Sequence, residues 1–294
     1  MTAEYENDQE QLMFKQQGIL YVVATPIGNL EDMTPRGIAT LQNVDLILAE
    51  DTRHSGGLLK KFGITTSMKA YHDHNERKIA EDLIKRIQAG ESMALISDAG
   101  TPLVSDPGYY LLSLAQQANI QVIPIPGVCA LIAGLSASGL ASDRFTFNGF
   151  LPAKKTARLK TLQTLKQASA TQIFYEAPHR LSACISDLKA VFGSNRLACI
   201  ARELTKIYET IRTESLQELE QWLENDPGQC RGEIVIMVEG FQAEDQEEDG
   251  EPERILEILL ESLPPSQAVA AAVKITGAKK NQLYKLAQDK TDQD

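Results

Sequence analysis

Little in this sequence announces its chemistry outright. Its 294 residues include four cysteines, one tryptophan and 6% aromatic residues. Cys129, Cys184, Cys199 and Cys230 stand apart with no CxxC spacing. That weighs against a disulfide framework or a zinc site and fits reduced, mostly buried cytosolic thiols. No run of about 18 apolar residues occurs, so no membrane-spanning helix is expected. The first stretch, MTAEYENDQEQLMFKQQ, is acidic and polar, which argues against a signal peptide. Three motifs are also missing. The first apolar run is followed by Ala24-Thr25-Pro26-Ile27-Gly28-Asn29, with a single glycine, so the GxGxxG of a dinucleotide fold is absent. No GxxxxGK[ST] marks a P-loop, and no GxSxG marks a hydrolase elbow.

Acidity is plentiful but local. The net charge is −11. Residues 1–17 carry −3, residues 243–261 carry −8, and residues 264–294 carry +2, which leaves the body at only −2. An overall negative sign therefore does not exclude a nucleic-acid partner. With 43% hydrophobic residues, the chain can bury more than one core.

Residues 1–17 read as a disordered lead-in. Short apolar runs then alternate with helical patterns. Ile19–Ala24, Val44–Ala49, Met93–Ser97 and Gln121–Ile125 are the first strands. Helices are expected from Thr34, capping with Pro35 at the first position, and over Gly57–Phe62, Glu76–Ala89 and Tyr109–Gln117. Beyond Pro126-Gly127 come a small apolar helix, Val128–Leu140, and a strand, Phe145–Phe150. A basic amphipathic helix over Ala153–Ala168 follows, then a strand, Thr171–Tyr175. Next are a helix, Leu181–Phe192, a strand, Leu197–Arg202, a helix, Leu216–Asn225, and a last strand, Glu233–Glu239. The alternation up to Ile125 predicts a largely parallel sheet, and the whole pattern an α/β architecture with one domain at 18–125 and a second at 126–241. Residues 242–253 form an acidic linker. Residues 254–294 form a small helical module with Ser266 as a helix cap, a turn at Gly277 and a third helix at Lys279–Gln288. Spacing alone leaves that module open between a helix-turn-helix and a simple helical hairpin.

The unusual residues cluster at the carboxyl ends of strands: Thr25–Asn29, Glu50–His54, Ser97–Asp106, Pro126–Ala130, Glu176–Arg180 and Arg202–Lys206. In open α/β sheets ligands bind at such ends. The loop Asp98–Gly108 is longer than the usual ~2–6 residues and is rich in glycine and proline. Six polar ends over apolar strands predict a small-molecule cleft between two domains. A metal site at His54, His72 and His74 is a weaker reading, because His72 and His74 would point to opposite faces of an extended chain; no metal is expected.

The stretches LYVVATPIGNLEDMTPR, AEDTRHSGGLLKKFGI, YHDHNE, LISDAGTPLVSDPG, PIPGVCA, FYEAPHR and ARELTKIYE, in this order, resemble the ribosomal small-subunit RNA methyltransferase I family. The likeness covers Gly18–Glu239, and the helical tail resembles an extra C-terminal domain of many members. It implies membership of the tetrapyrrole-methylase-like class, with two α/β domains, a cofactor cleft between them and usually a homodimer. It also implies transfer of a methyl group from S-adenosylmethionine to the ribose 2′-hydroxyl of a cytidine in the decoding region of 16S rRNA. The substrate would be free small-subunit rRNA or the assembled subunit. By the same resemblance Pro26, Gly100, Thr101, Pro102, Val104, Cys129, Ala130, Tyr175, Leu204 and Gly232 would border the cofactor. Thr101 stands where the wider class has an aspartate. A tetrapyrrole methylase and a non-enzymatic RNA-binding protein are the competing readings.

Methyl transfer needs the ribose oxygen aligned and its proton removed. Asp51, Glu176, Glu203 and Lys206 are the candidate bases at the cleft mouth. Arg53, Arg180 and Arg202 suit phosphate by their forked donors. Lys154, Lys155 and Arg158 of the basic helix, with Lys279 and Lys280 of the tail, are expected to hold RNA.

Overall fold

The computed structural model describes residues 17–242 and 251–278, and Lys280, Leu283, Tyr284, Leu286 and Ala287 beyond them. The first α/β domain runs β1 (Leu20–Val23), α1 (Pro35–Asn43), β2 (Leu46–Ala49), α2 (Thr52–Lys61), β3 (Met68–Ala70), α3 (Glu76–Gln88), β4 (Met93–Ile96), α4 (Tyr109–Gln117) and β5 (Val122–Ile125). Its sheet is ordered β3-β2-β4-β1-β5, and every pairing is parallel. Such strands are covered on both faces, so they read as continuous apolar runs. Leu20, Leu46, Leu48, Met93 and Leu95 pack under α3 and α4, while Val23, Ile47, Ala49, Ala94 and Ile96 face the α1 and α2 side. Pro124 sits in β5 at the sheet edge, where a missing N–H costs no ladder bond. Thr34 does cap α1: its hydroxyl accepts from Gly37 N at 3.0 Å, with Pro35 at the first position.

β1 and β4 are neighbours, but their connections leave in opposite directions. The chain leaves β1 for β2 across β4, and leaves β4 for β5 across β1. A crevice opens at their carboxyl ends, the switch point of the sheet.

The second domain runs α5 (Ala130–Ser138), β6 (Phe145–Phe150), α6 (Lys155–Leu165), β7 (Thr171–Glu176), α7 (Leu181–Phe192), β8 (Leu197–Arg202), β9 (Thr210–Ser215), α8 (Leu216–Asn225) and β10 (Ile234–Val238). The order is β6-β7-β10-β8-β9. Only β6 and β7 pair in parallel; β10 runs antiparallel to both β7 and β8, and β9 antiparallel to β8. The largely parallel expectation therefore holds for the first sheet; the second is mixed. One face of this sheet carries α6, α7 and α8 over Phe174, Ile200 and Ile236. The other packs α5 and Ile27 of the first domain against Ile173, Cys199, Val235 and Met237.

Two strands were absent from the sequence reading, β3 and β9. Both are edge strands with little burial, so neither shows an apolar run. The tail also departs in detail. Helix α9 (Glu251–Leu260) begins inside the segment read as linker, and α10 (Pro265–Thr276) has Pro264, not Ser266, at its cap position. Gly277 does end α10 in the left-handed conformation, with φ 74°. Leu256, Ala268, Val269, Ala272, Leu283 and Ala287 close a small core of their own.

The basic helix also holds a surprise. Arg158 turns inward: its guanidinium meets Asp187 at 2.7 Å with both side chains about 95% buried, so it is not an RNA contact. Amphipathic spacing could not reveal a partner 29 residues away. Removing one member of a buried pair strands the other charge at a cost of ~3–5 kcal/mol; Asp187 would keep only the mostly exposed Lys155, at 3.6 Å. Arg158→Ala is expected to lower the stability of this domain by that amount in urea, followed through its single tryptophan, Trp222, which packs against the same core. A loss under ~1 kcal/mol would contradict the buried-pair assignment.

Candidate active site

The carboxyl ends of β1 and β4 are tied together. Thr25 N donates to Gly100 O at 2.9 Å, and Gly100 N donates to Thr25 O at 3.0 Å. The Thr25 hydroxyl adds a bond to Ser97 O at 3.1 Å. Gly100 has φ 85°, a conformation that favours glycine, and a β-carbon there would come within 3.3 Å of Ile27. The loop running on from Gly100 therefore hugs the turn after β1. Thr101 then spends its hydroxyl on Val128 O at 2.9 Å, which anchors the loop to the chain entering the second domain. Its role is tethering, and an aspartate would not donate that bond unless protonated.

A second tie closes the other side. Asn29 N donates to the Thr205 hydroxyl at 3.0 Å across the domains. Gly28 lies under Lys206, where a β-carbon would fall 2.5 Å from Lys206 Cγ. Leu103, Ser105, Glu203 and Thr205 all have positive φ, between 50° and 76°. These four non-glycine residues lie in the two facing loops. Left-handed backbone costs ~1–3 kcal/mol per residue unless its surroundings hold it, and it gathers at functional sites.

Between these loops lies a cavity of about 490 Å³. Gly100, Thr101, Val104, Cys129, Ala130, Tyr175, Leu204 and Gly232 line it, joined by Ile27, Phe150 and Val235. Pro26 and Pro102 are buried behind the wall rather than on it. Gly232 has φ 81°, and a β-carbon there would overlap Glu203 Oε1 at 2.2 Å. Burial, and then the nearby Cys129 thiol, pushes the Tyr175 phenol well above its usual range, so it is a neutral hydroxyl in the cleft.

The candidate bases fare unevenly. Asp51 is off the wall: it caps α2 through Arg53 N at 2.8 Å and pairs with the Arg53 guanidinium at 2.9 Å. The Arg53 contacts hold its carboxyl down at about 2. Its neighbour Glu50 lines the cavity instead. Glu203 accepts from Lys206 Nζ at 2.9 Å and from Glu233 N at 3.1 Å, and the lysine lowers its pKa. Burial pulls the Lys206 ammonium down, but its bonds to Glu203 and Glu233 outweigh that and raise it, the wrong direction for a lysine base. Glu176 does line the cavity. Its Oε1 takes Ala177 N at 2.8 Å and lies 3.1 Å from Arg180 Nε; its Oε2 is buried with no hydrogen-bond partner.

The cations divide likewise. Arg202 is buried, bonding Arg231 O at 3.2 Å and Gln229 at 3.0 Å, and is withdrawn from any RNA surface. Arg180 is turned inward onto Glu176 and onto Leu151 O at 2.6 Å. Arg53 is exposed but paired with Asp51. Lys154, Lys155 and Lys280 are exposed, with Lys155 facing Asp187 Oδ1 at 3.6 Å; Lys279 lies outside the described residues.

Asp106 is the residue the sequence reading did not single out. It lines the cavity with Glu50 and Asp98. Burial, then the Glu50 charge, pushes its carboxyl up to about 6, against a Ser97 hydrogen bond that lowers it. In the sequence it is one more acid in a Ser-Asp-Pro-Gly turn. Among the described residues, no group of three or more histidine, cysteine, aspartate or glutamate side chains is arranged to hold a metal ion.

The doubly wound first sheet, the mixed second sheet and the cleft between their strand ends define a methyltransferase of the tetrapyrrole methylase class. The model of that family, Tetrapyrrole (Corrin/Porphyrin) Methylases, matches residues 19–220, and a second, the RsmI C-terminal HTH domain, matches residues 246–290. Among solved structures, uroporphyrin-III-C-methyltransferase from Thermus thermophilus superposes with a TM-score of 0.55 at 19% identity, covering 76% of this chain and 94% of that one. Diphthine synthase gives 0.57 at 14%, covering 76% and 90%. The chain is 53% identical to the ribosomal RNA small subunit methyltransferase I of Pseudomonas aeruginosa, over 92% of its own length and 96% of the relative's. It is 48% identical to that of Escherichia coli O157:H7, over 95% and 98%. The chain belongs to the ribosomal RNA small subunit methyltransferase I family.

The Asp106 environment sets a pH dependence. A carboxyl raised from 3.8 to about 6 contributes stability that is full below its unfolded pKa and is lost as pH rises through about 6. Asp106→Asn does not titrate, so its stability relative to the parent is expected to be higher at pH 8 than at pH 4. Urea midpoints at the two pH values check this; a difference that does not change with pH would contradict it.

Proposed function

We propose that this protein uses S-adenosylmethionine to methylate the ribose 2′-hydroxyl of a cytidine in the decoding region of 16S rRNA. It does so in the cytoplasm, as a homodimer, on free small-subunit rRNA or the assembled subunit. The division at residues 18–125 and 126–241 belongs to the same reading. The observation that carries it is the closed-in cleft between two α/β sheets, in a chain about half identical along nearly its whole length to named ribosomal RNA small subunit methyltransferases.

The cleft's chemistry suits such a cofactor. Ile27, Val104, Leu204 and Val235 offer apolar surface, and Gly100 and Gly232 hold the left-handed turns that shape its walls. Bound there, the cofactor supplies a methyl carbon on a positively charged sulfur. The protein must align the ribose oxygen, worth up to ~7–11 kcal/mol, and accept its proton. Asp106 is the base we favour: it faces the cleft and lacks an ion-pair partner among the described contacts, unlike Asp51, Glu203 and Lys206. The homodimer is supported by Ile207, 94% exposed, and Tyr208, 73% exposed, on the loop after β8.

The test is transfer of labelled methyl to small subunits from cells that lack this enzyme, with the nucleoside mapped. Label on a cytidine ribose is the expected result. Label on a base, or none, overturns the assignment. With the same substrate, kcat should rise through about pH 6 as Asp106 ionises, and Asp106→Asn should cost ~10²–10⁴-fold.

A further inference from the structure

β6 carries a defect at its cleft end. It pairs with β7 in regular register as far as Phe147↔Ile173, but then Phe150 stands opposite Tyr175, so one extra residue is inserted. Gly149 takes φ 62° within this bulge. Strand side chains alternate faces, so the insertion moves Phe150 onto the face that Phe147 and Tyr175 share. Phe150 then lines the cavity while remaining 55% exposed. Its ring meets Tyr175 edge-on, with centroids 5.8 Å apart and planes at 65°. A half-exposed aromatic face at a cavity mouth is a surface on which a planar group can stack.

The chain that follows says what kind of ligand. Leu151 is buried, and α6 starts at Lys155 with Lys154 at its cap position and no side-chain cap. Its first turn has no acid. Helix N-termini leave unsatisfied N–H groups and favour anions; Lys155 there faces Asp187 Oδ1 at 3.6 Å, while Lys154 is exposed. The opposite wall carries Glu50, Asp98 and Asp106 and would repel a phosphate. Glu176 and Glu233 line the cavity from the second domain, so a phosphate is kept outside it, toward the start of α6, with the base and ribose beside Phe150.

We propose that Phe150 is a stacking platform for an unpaired RNA base at the cleft mouth, with Lys154 beside the adjoining phosphate. This rests on the RNA reading given above. Stacking on an aromatic ring tolerates any base, so the platform positions the strand, and the choice of cytidine is made elsewhere.

The experiment uses the full chain and unmethylated small subunits. Phe150→Ala should lower kcat/KM for RNA by about tenfold or more while S-adenosylmethionine affinity, by calorimetry, stays within about twofold. Phe150→Trp should restore the rate, and Phe150→Leu should not. Lys154→Ala should flatten the dependence of log affinity on log salt by about one. The platform is overturned if Phe150→Ala leaves kcat/KM unchanged, if cofactor affinity falls in step with the rate, or if Phe150→Leu rescues as well as Phe150→Trp. An unchanged salt slope overturns the phosphate contact. Should the parent enzyme itself fail to methylate RNA while binding the cofactor, the RNA reading falls first, and this inference with it.

Discussion

Everything in the cleft depends on two backbone hydrogen bonds between Thr25 and Gly100. They join the turns after β1 and β4, the adjacent strands whose connections part to opposite sides of the sheet. A switch point opens a crevice by topology alone; this bridge gives it a fixed wall. Gly100 can make both bonds only in its left-handed conformation, and the loop through Asp106 hangs from that point. Thr101 then carries the constraint to Val128, at the entry to the second domain.

The second domain answers with a matching loop. Glu203 and Thr205 are strained, and each has a contact that holds it there: Lys206 and Glu233 N for Glu203, Asn29 N for the Thr205 hydroxyl. Strain and tie belong together, since the cost of the conformation is offset only where the neighbours fix it. The charges are divided as well. Acids line the cavity from both domains, Glu50, Asp98 and Asp106 from the first and Glu176 and Glu233 from the second, while exposed Lys154 lies at the start of α6.

The first domain was legible in the sequence because its strands are buried on both faces. Ile19–Ala24 and Met93–Ser97 could hardly be anything but strands of a parallel sheet. The second domain was legible by element but not by order. β10 slots between β7 and β8 through pairings more than 30 residues apart, which no local pattern records. Edge strands β3 and β9 lacked the apolar signal, and β9 needed its neighbour β8 to define it.

The site was legible as a set of strand ends, and its residues came from resemblance. What neither supplied was direction. At the end of β2 the sequence offers Glu50 and Asp51 as equals; capping and Arg53 take Asp51 away, and Glu50 is left on the wall. Arg158 and Arg202 look like any surface cations until Asp187 and the Gln229–Arg231 turn claim them. The most direct test of the central claim, that both domains form one cofactor site, is backbone hydrogen exchange with and without S-adenosylhomocysteine. Slowed exchange in both 98–106 and 203–206 is the result this account predicts. Protection confined to one domain, or lying away from both loops, would contradict it.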